Sequence, residues 1–340
     1  MTAPQNPPPP PAVLMQLLSG AWIQQTISTL AALGIADALA SGPKTTAALA
    51  GELGLHERSL YRALRAAASV GVFAETGPRT FGLNPVAELL RTGTPGSMRA
   101  AATMLGREWD RRSWSAMAHT LRTGQTAHDH VFGCGAFEHL NKHPEDLAIF
   151  NQAMTDFSVG NAAAVRDAYG FEGIGTLMDV AGGHGMMLGT ILVAHPAMKG
   201  VLFDQSHVVE GAAPVLSRLG VADRVRTVGG NFFESVPAGA DAILMSNIIH
   251  DWDDEKSIRI LKNCRAALPA GGRLLLVETP IPDGPGFHFG KWMDLQMMLL
   301  PGGAERTESE HAALLSASGF RLQRIVPTRT PTGIVEAVAV

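Results

Sequence analysis

Five short apolar runs in the second half of this 340-residue chain each end in residues that could do chemistry. Ala181-Gly182-Gly183-His184-Gly185 follows the run 177–180. A strand, a tight glycine turn and a helix N-terminus let backbone approach a ligand closely. The turn falls short of the dinucleotide fingerprint, because Leu188 stands where the last glycine of G-x-G-x-x-G belongs. Asp204 ends the second run, 200–203, at about the distance past the turn where a carboxylate reaches a ribose. The third run, 225–228, leads into Gly229-Gly230-Asn231-Phe232-Phe233. The fourth, 242–245, leads into Ser246 and a stretch holding His250, Asp251, Asp253 and Asp254. The fifth, 273–277, ends on Glu278 and Thr279.

Taken one at a time these residues are ambiguous. His250 alone reads as a satisfied structural histidine and Glu278 as an exposed strand end. Glu305 follows Pro301-Gly302-Gly303 and could simply cap a helix over 308–318. The acidic run Asp251, Asp253 and Asp254 could serve a metal. The preferred reading makes Asp253 and Asp254 the cap of the next helix and Asp251 a brace for the His250 loop. No metal is expected.

What joins these places is the alternation of strand and helix. Helices are expected over 186–194, 207–219 and 255–268, between the five strand candidates. Such alternation predicts a parallel sheet covered on both faces, with its ligand outside the carboxyl ends of the strands. Strands over 321–326 and 334–338 are too close for a parallel crossover and should form an antiparallel hairpin.

Upstream, apolar spacing predicts helices over 12–40, broken near Gly34, then 46–53 and 57–70. Two short strands, 71–73 and 80–83, follow around Gly77-Pro78 and complete a winged-helix pattern. Arg58, Arg62 and Arg65 raise the possibility of DNA binding. Their helix is otherwise mostly apolar and the chain carries a formal charge of −4, so packing or dimerisation is preferred. One helix is expected over 100–122, then a loop over 123–135 whose His128 and His130 are solvated. A helical stretch over 144–169 carries Phe150, Met154 and Phe157 along one side. The opening MTAPQNPPPPP reads as an extended proline tract without signal-peptide features. Apolar residues make up 46%, enough for a large core, and no apolar run is long enough to span a membrane. Cys134 and Cys264 lack metal-type spacing, so a soluble protein of the reduced cytoplasm is expected.

The stretches LMDVAGGHG, FDQ, GGNFFESVPAGADAILMSNIIHDWDDE, LPAGGRLLLVE and PGGAERTESE resemble the class I S-adenosylmethionine-dependent O-methyltransferases, especially the plant caffeate and flavonoid and bacterial antibiotic-tailoring group. IIHDWDDE is the most specific match, and FNQAM at 150–154 looks like the group's cofactor lid. The resemblance implies a Rossmann-like doubly wound, mostly parallel seven-stranded sheet with an antiparallel C-terminal hairpin, plus a mainly helical, winged-helix-like dimerisation domain. It implies a tail over 1–11, a dimerisation domain over 12–98, a linker and lid over 99–170, and a catalytic domain over 171–340. It further implies S-adenosyl-L-methionine held by Asp179, Gly183, Asp204, Asn231, Phe232, Ser246 and Met154. His250 is implied as general base, with Glu278 and Glu305 flanking its ring. Trp292, Met293, Met297, Phe150 and Asp251 are expected to line the acceptor site, although the methionine-rich helix would equally suit a dimer core. The partners implied are a small aromatic acceptor and a second copy of the chain, with no nucleic acid or membrane.

The implied chemistry is sound. A phenol with a pKa of about 10 must lose a proton, and a histidine near about 6.5 can take it. A carboxylate behind the ring favours the right tautomer and steadies the imidazolium. Three departures from the family pattern stand out. Ala181 replaces a frequent glycine, so a positive φ is not expected there. Asn231 replaces a usual aspartate. Ser246 replaces the lysine of plant members. Competing readings are N-methylation, a non-methylating use of the same cofactor, and a winged-helix ligand sensor.

Overall fold

The computed structural model describes residues 8–340, so most of the proline tract lies outside it. The described residues form two compact units: 8–111 with His143–Asp156, and Arg112–Lys142 with Phe157–Val340. The segment 99–170 is thus divided between them. No helix among the described residues is long and apolar enough to cross a membrane.

In the first unit the expected tail gives way to helix as early as Pro10, in the helix Pro10–Leu18. Proline suits a first helical turn, where its missing N–H would lack a partner anyway. Helix Gly20–Ala32 follows, and Gly34 takes a left-handed φ of 70° at the predicted break. Thr45 caps helix Thr46–Leu53 by accepting from the Ala48 N–H. Leu30, Ile35, Leu49, Leu64 and Phe81 centre the core. Strands β1 (Lys44–Thr45), β2 (Ala74–Gly77) and β3 (Thr80–Gly82) form a small sheet in the order β1-β3-β2. The strand expected over 71–73 is absent: Phe73 has φ of 66°, which ends extended pairing, and β2 starts one residue later.

The second unit holds β4 (Thr176–Val180), β5 (Lys199–Asp204), β6 (Val225–Gly229), β7 (Ala242–Ser246), β8 (Arg273–Glu278), β9 (Phe320–Pro327) and β10 (Gly333–Ala339). Their order is β6-β5-β4-β7-β8-β10-β9. The first five are parallel; β10 lies antiparallel between β8 and β9. Successive residues alternate between two cores. Met178, Ile243, Met245 and Leu274 pack on one face with Ile260 and Leu261 of helix Asp254–Ala267. Leu177, Leu244 and Leu275 pack on the other with Leu188 and Ile191 of helix Met186–Ala194. Period-two alternation with both faces apolar produces the continuous hydrophobic runs of the sequence.

Three helix expectations need correction. The single helix over 100–122 is three: Arg99–Leu105, Glu108–Ser115 and Met117–Thr123. The one over 207–219 is two, Ser206–Val209 and Ala213–Arg218, because Pro214 can only open a helix. The loop over 123–135 contains helix Ala127–Phe132, capped by Thr126 and closed at Gly133 with φ of 72°. His128 is therefore buried, with Nδ1 3.1 Å from Ser113 Oγ, and burial lowers its pKa to about 4. His130 is exposed as expected, and its ring stacks on His119.

Candidate active site

The site is built on the carboxyl rim of the parallel strands. Strand order reverses between β4 and β7, which opens the crevice where such sheets bind ligands. Asp179 sits inside β4, 1% exposed, and neither carboxylate oxygen makes a well-formed hydrogen bond. Burial raises its pKa to about 7; the Leu188 amide offsets part of the rise and Asp204 adds repulsion. A Cβ on Gly182 would lie 2.5 Å from Asp179 Cγ and 2.6 Å from Leu202 Cδ1, so only glycine fits over this acid. Gly183 has φ of 58° with open space on its Cβ side, and its N–H donates to Asp204 Oδ2 at 2.8 Å. Ala181 corrects the expectation made for it: φ is 58°. Its N–H donates to the Phe203 carbonyl at 2.7 Å, which ties the exit of β4 to β5 and holds the left-handed turn.

Asp204 ends β5 beside this turn, and its Oδ1 accepts from the Gln205 N–H at 2.6 Å. Asn231 follows β6. Its Oδ1 accepts from the Phe233 N–H at 3.0 Å and its Nδ2 donates to Glu234 at 3.2 Å, so the amide closes its own turn. Phe232 packs edge-on against Phe233 and Trp252. Ser246 ends β7, half-buried, before Asn247 with φ of 53°. A buried acid without a strong donor, beneath a glycine cradle and beside a second carboxylate, suits a ligand with an ammonium group and a ribose. S-adenosylmethionine has both.

His250 lies in the single turn Ile249–Asp251 beyond β7. Because β7 and β8 are parallel neighbours, with Ser246 opposite Val277, Glu278 emerges on the same rim. Glu278 Oε1 accepts from the Ile249 N–H at 3.0 Å and the Ile248 N–H at 3.3 Å, while Oε2 lies 3.6 Å from His250 Nδ1. Glu305 Oε1 lies 2.7 Å from the same Nδ1, and its Oε2 accepts from the Thr279 N–H. Asp251 Oδ1 is 3.6 Å from Nε2, on the other edge of the ring. Burial alone would lower the His250 pKa; the carboxylates of Glu278, Glu305 and Asp251 outweigh it and raise it to about 10. Burial pushes Glu278 up, and carries Asp251 up to about 6 against the opposing pull of His250. One ligand atom each from His250, Glu278 and Glu305 lies within 4.8 Å of the others, a spacing that a cation could also bridge.

Two residues that sequence reasoning passed over hold this cluster. A Cβ on Gly303 would fall 1.9 Å from the His250 carbonyl oxygen, and the next N–H, from Ala304, donates to that oxygen at 2.9 Å. Asp294 accepts from the Glu305 N–H at 3.0 Å. Its signal was available: a lone carboxylate within the apolar helix Phe289–Leu299. That helix also carries Met293 and Met297, both half-buried, and Trp292, which is exposed. Phe150 and Met154 are half-buried on helix Pro144–Ala168 and belong to the other compact unit, so the cluster described here does not include them. Asp253 caps helix Asp254–Ala267, as expected. Thr307 and Glu310, rather than Glu305, form the capping box of helix Glu308–Ala317.

The chain matches the O-methyltransferase domain over residues 114–321 and the O-methyltransferase dimerisation domain over residues 15–93. It is 46% identical to the phenazine O-methyltransferase PhzM of Lysobacter antibioticus, covering 96% of this chain and 95% of that one. Identity to the mitomycin biosynthesis 6-O-methyltransferase of Streptomyces lavendulae is 36%, over 94% and 92% of the two chains. Among solved structures it resembles an O-methyltransferase from neocarzinostatin biosynthesis in complex with S-adenosylmethionine and 2-hydroxy-5-methyl naphthoic acid. That match has a TM-score of 0.79 and 30% identity, over 93% of this chain and 96% of the other.

Proposed function

This chain belongs to the S-adenosylmethionine-dependent O-methyltransferase family, and from that premise we propose that it methylates a phenolic hydroxyl on an aromatic natural product, with His250 as the base. The observation that carries the reading is the His250 ring fixed by Glu305 at 2.7 Å on the rim that also holds the glycine turn. S-adenosylmethionine supplies a methyl group already activated on a sulfonium, so the protein's tasks are alignment and removal of one proton. Asp179 faces the ammonium end, Asp204 the ribose, and Asn231 and Phe232 the adenine, with Gly183 and Ser246 between. Nδ1–H of His250 donates to Glu305, which leaves Nε2 to accept the phenol proton. Asp251, 3.6 Å from Nε2, braces that edge of the ring, and the proton leaves to solvent with the products. The carboxylates keep the ring protonated at neutral pH without cofactor; a cationic ligand at the neighbouring rim favours the neutral ring by charge repulsion.

Met293, Met297 and Trp292, on one helix, form the acceptor wall, a soft surface suited to flat aromatics. One relative named above is a phenazine O-methyltransferase. The partner is a second copy of the chain, docked through the dimerisation domain. Leu17 (72% exposed) and Trp22 (70% exposed) leave an apolar surface for it on the first two helices. The free thiols of Cys134 and Cys264 suit a reducing cytoplasm.

The test is incubation with S-adenosylmethionine and a panel of hydroxyphenazines, hydroxynaphthoates and aminohydroxybenzoates, comparing wild type with His250→Ala. Methylated product and S-adenosylhomocysteine are expected from the wild type, and cofactor binding without turnover from the variant. Equal turnover in both would remove His250 as the base.

A further inference from the structure

Arg306 is 4% exposed and follows Glu305 directly. Its Nη1 donates to the carbonyls of Ile249 and Ala304, each at 3.2 Å. Nη2 donates to the Trp252 carbonyl at 2.9 Å and to Asp254 Oδ1 at 2.8 Å. Nε donates to the same Asp254 oxygen at 3.1 Å. One planar group therefore grips the backbone on both sides of His250 and the carbonyl immediately before Glu305. Nothing in the start of helix Glu308–Ala317 requires this arrangement, because Thr307 and Glu310 cap that helix themselves. Nor is fold stability the purpose of the pair with Asp254, which is 77% exposed, where pairing stabilises little; its Oδ1 holds Nε and Nη2 and so sets the plane of the guanidinium. Lysine, with donors on a single nitrogen, cannot reach all of these acceptors at once.

We propose that Arg306 is a positioning residue for proton transfer, whose guanidinium clamps the loop 249–252 to the segment 304–305 and so fixes the His250–Glu305 contact. The proposal rests on His250 working through Glu305. The titratable groups around the clamp are Asp253, Asp254, Asp294, Glu310 and His311. His311 is buried, and desolvation together with Arg306 lowers its pKa to about 4, so it stays neutral through the working range.

The experiment is NMR of the full chain labelled with 15N-histidine, without acceptor, in wild type, Arg306→Lys, Glu305→Gln and the double variant. Loss of the resonance in His250→Gln assigns the Nδ1 proton. Wild type should give a downfield Nδ1–H signal, and Arg306→Lys should weaken it and lower the His250 titration midpoint by about one pH unit. In the Glu305→Gln background the lysine substitution should shift nothing more, since both act on one contact. With a methylated phenol in hand, kcat of Arg306→Lys should fall about tenfold or more while KM for S-adenosylmethionine stays near wild type. An unchanged signal and midpoint in Arg306→Lys, or additive shifts in the double variant, would overturn the proposal. If Arg306→Lys does not fold, Asp254→Asn loosens the clamp from its exposed side; a smaller shift in the same direction is expected, and none overturns it. A wild type that shows the resonance but methylates no phenol fails the acceptor reading and leaves the positioning role standing.

Discussion

Replacing Glu305 with glutamine keeps the shape of the side chain and removes its charge from a contact of 2.7 Å with His250 Nδ1. A hydrogen bond to a charged group contributes about 1.5–3 kcal/mol, which corresponds to about one to two pH units on the His250 titration. Glu305→Gln should therefore move the His250 midpoint down from the wild-type value of about 10, while Glu278 and Asp251 keep it above that of a free histidine. The active ring must be neutral, so the rate rises with pH through this midpoint. Above both midpoints the variant lacks the support that steadies the imidazolium and should be slower by about tenfold to a hundredfold. Below both, the variant holds correspondingly more neutral ring, and the deficit should shrink towards parity. The assay is kcat/KM for the acceptor at saturating S-adenosylmethionine, from pH 6 to 10 (roughly the span between free and bound histidine). A bound cation lowers both midpoints; the prediction concerns their separation. A wild-type to variant ratio constant across pH would refute the reasoning.

Asp179→Asn should raise the melting temperature of the cofactor-free protein at pH 8 and weaken S-adenosylmethionine binding. The folded pKa of this carboxyl is raised from 3.8 to about 7, so stability falls as pH climbs through that window, by up to about 4 kcal/mol. A lower melting temperature at pH 8 would contradict this. Ala181→Gly relieves a left-handed alanine, worth roughly 1–2 kcal/mol, against roughly 0.4–1 kcal/mol of added chain entropy in the unfolded state. A small net stabilisation is expected in a thermal melt, and a clear loss would show that the turn does not strain alanine. Chelation with EDTA should leave turnover unchanged, whereas loss restored by a divalent metal would turn the His250, Glu278 and Glu305 cluster into a cation site.

The sheet was legible because its strands are buried on both faces and read as unbroken apolar runs, with the chemistry gathered at their ends. The junctions were less so. Ala181 takes φ of 58° because its N–H is held by Phe203, a partner on another strand that no local propensity reveals. His128 looked solvated because the stretch 123–135 is rich in glycine and histidine; Ser113, from a separate helix, lies 3.1 Å from its Nδ1 in the buried interior. Gly303 and Asp294 matter only through contacts with the His250 loop and Glu305, which spacing along the chain cannot show. Asp253, by contrast, was readable as a cap because its partner is three residues away.

The position of β10 bears on how the protein is made. Gly333 lies opposite Glu278, so the strand that delivers this carboxylate is flanked on one side by a strand synthesised some fifty residues later. During vectorial synthesis the edge of β8 stays open while β9 has already emerged, and β9 can take its final place only after β10 enters between them. A chain stopped within 320–332 would keep every residue of the proposed proton-transfer cluster and still expose that edge. Until β10 pairs, β8 therefore presents an open edge that another chain could join, whatever the state of the catalytic cluster.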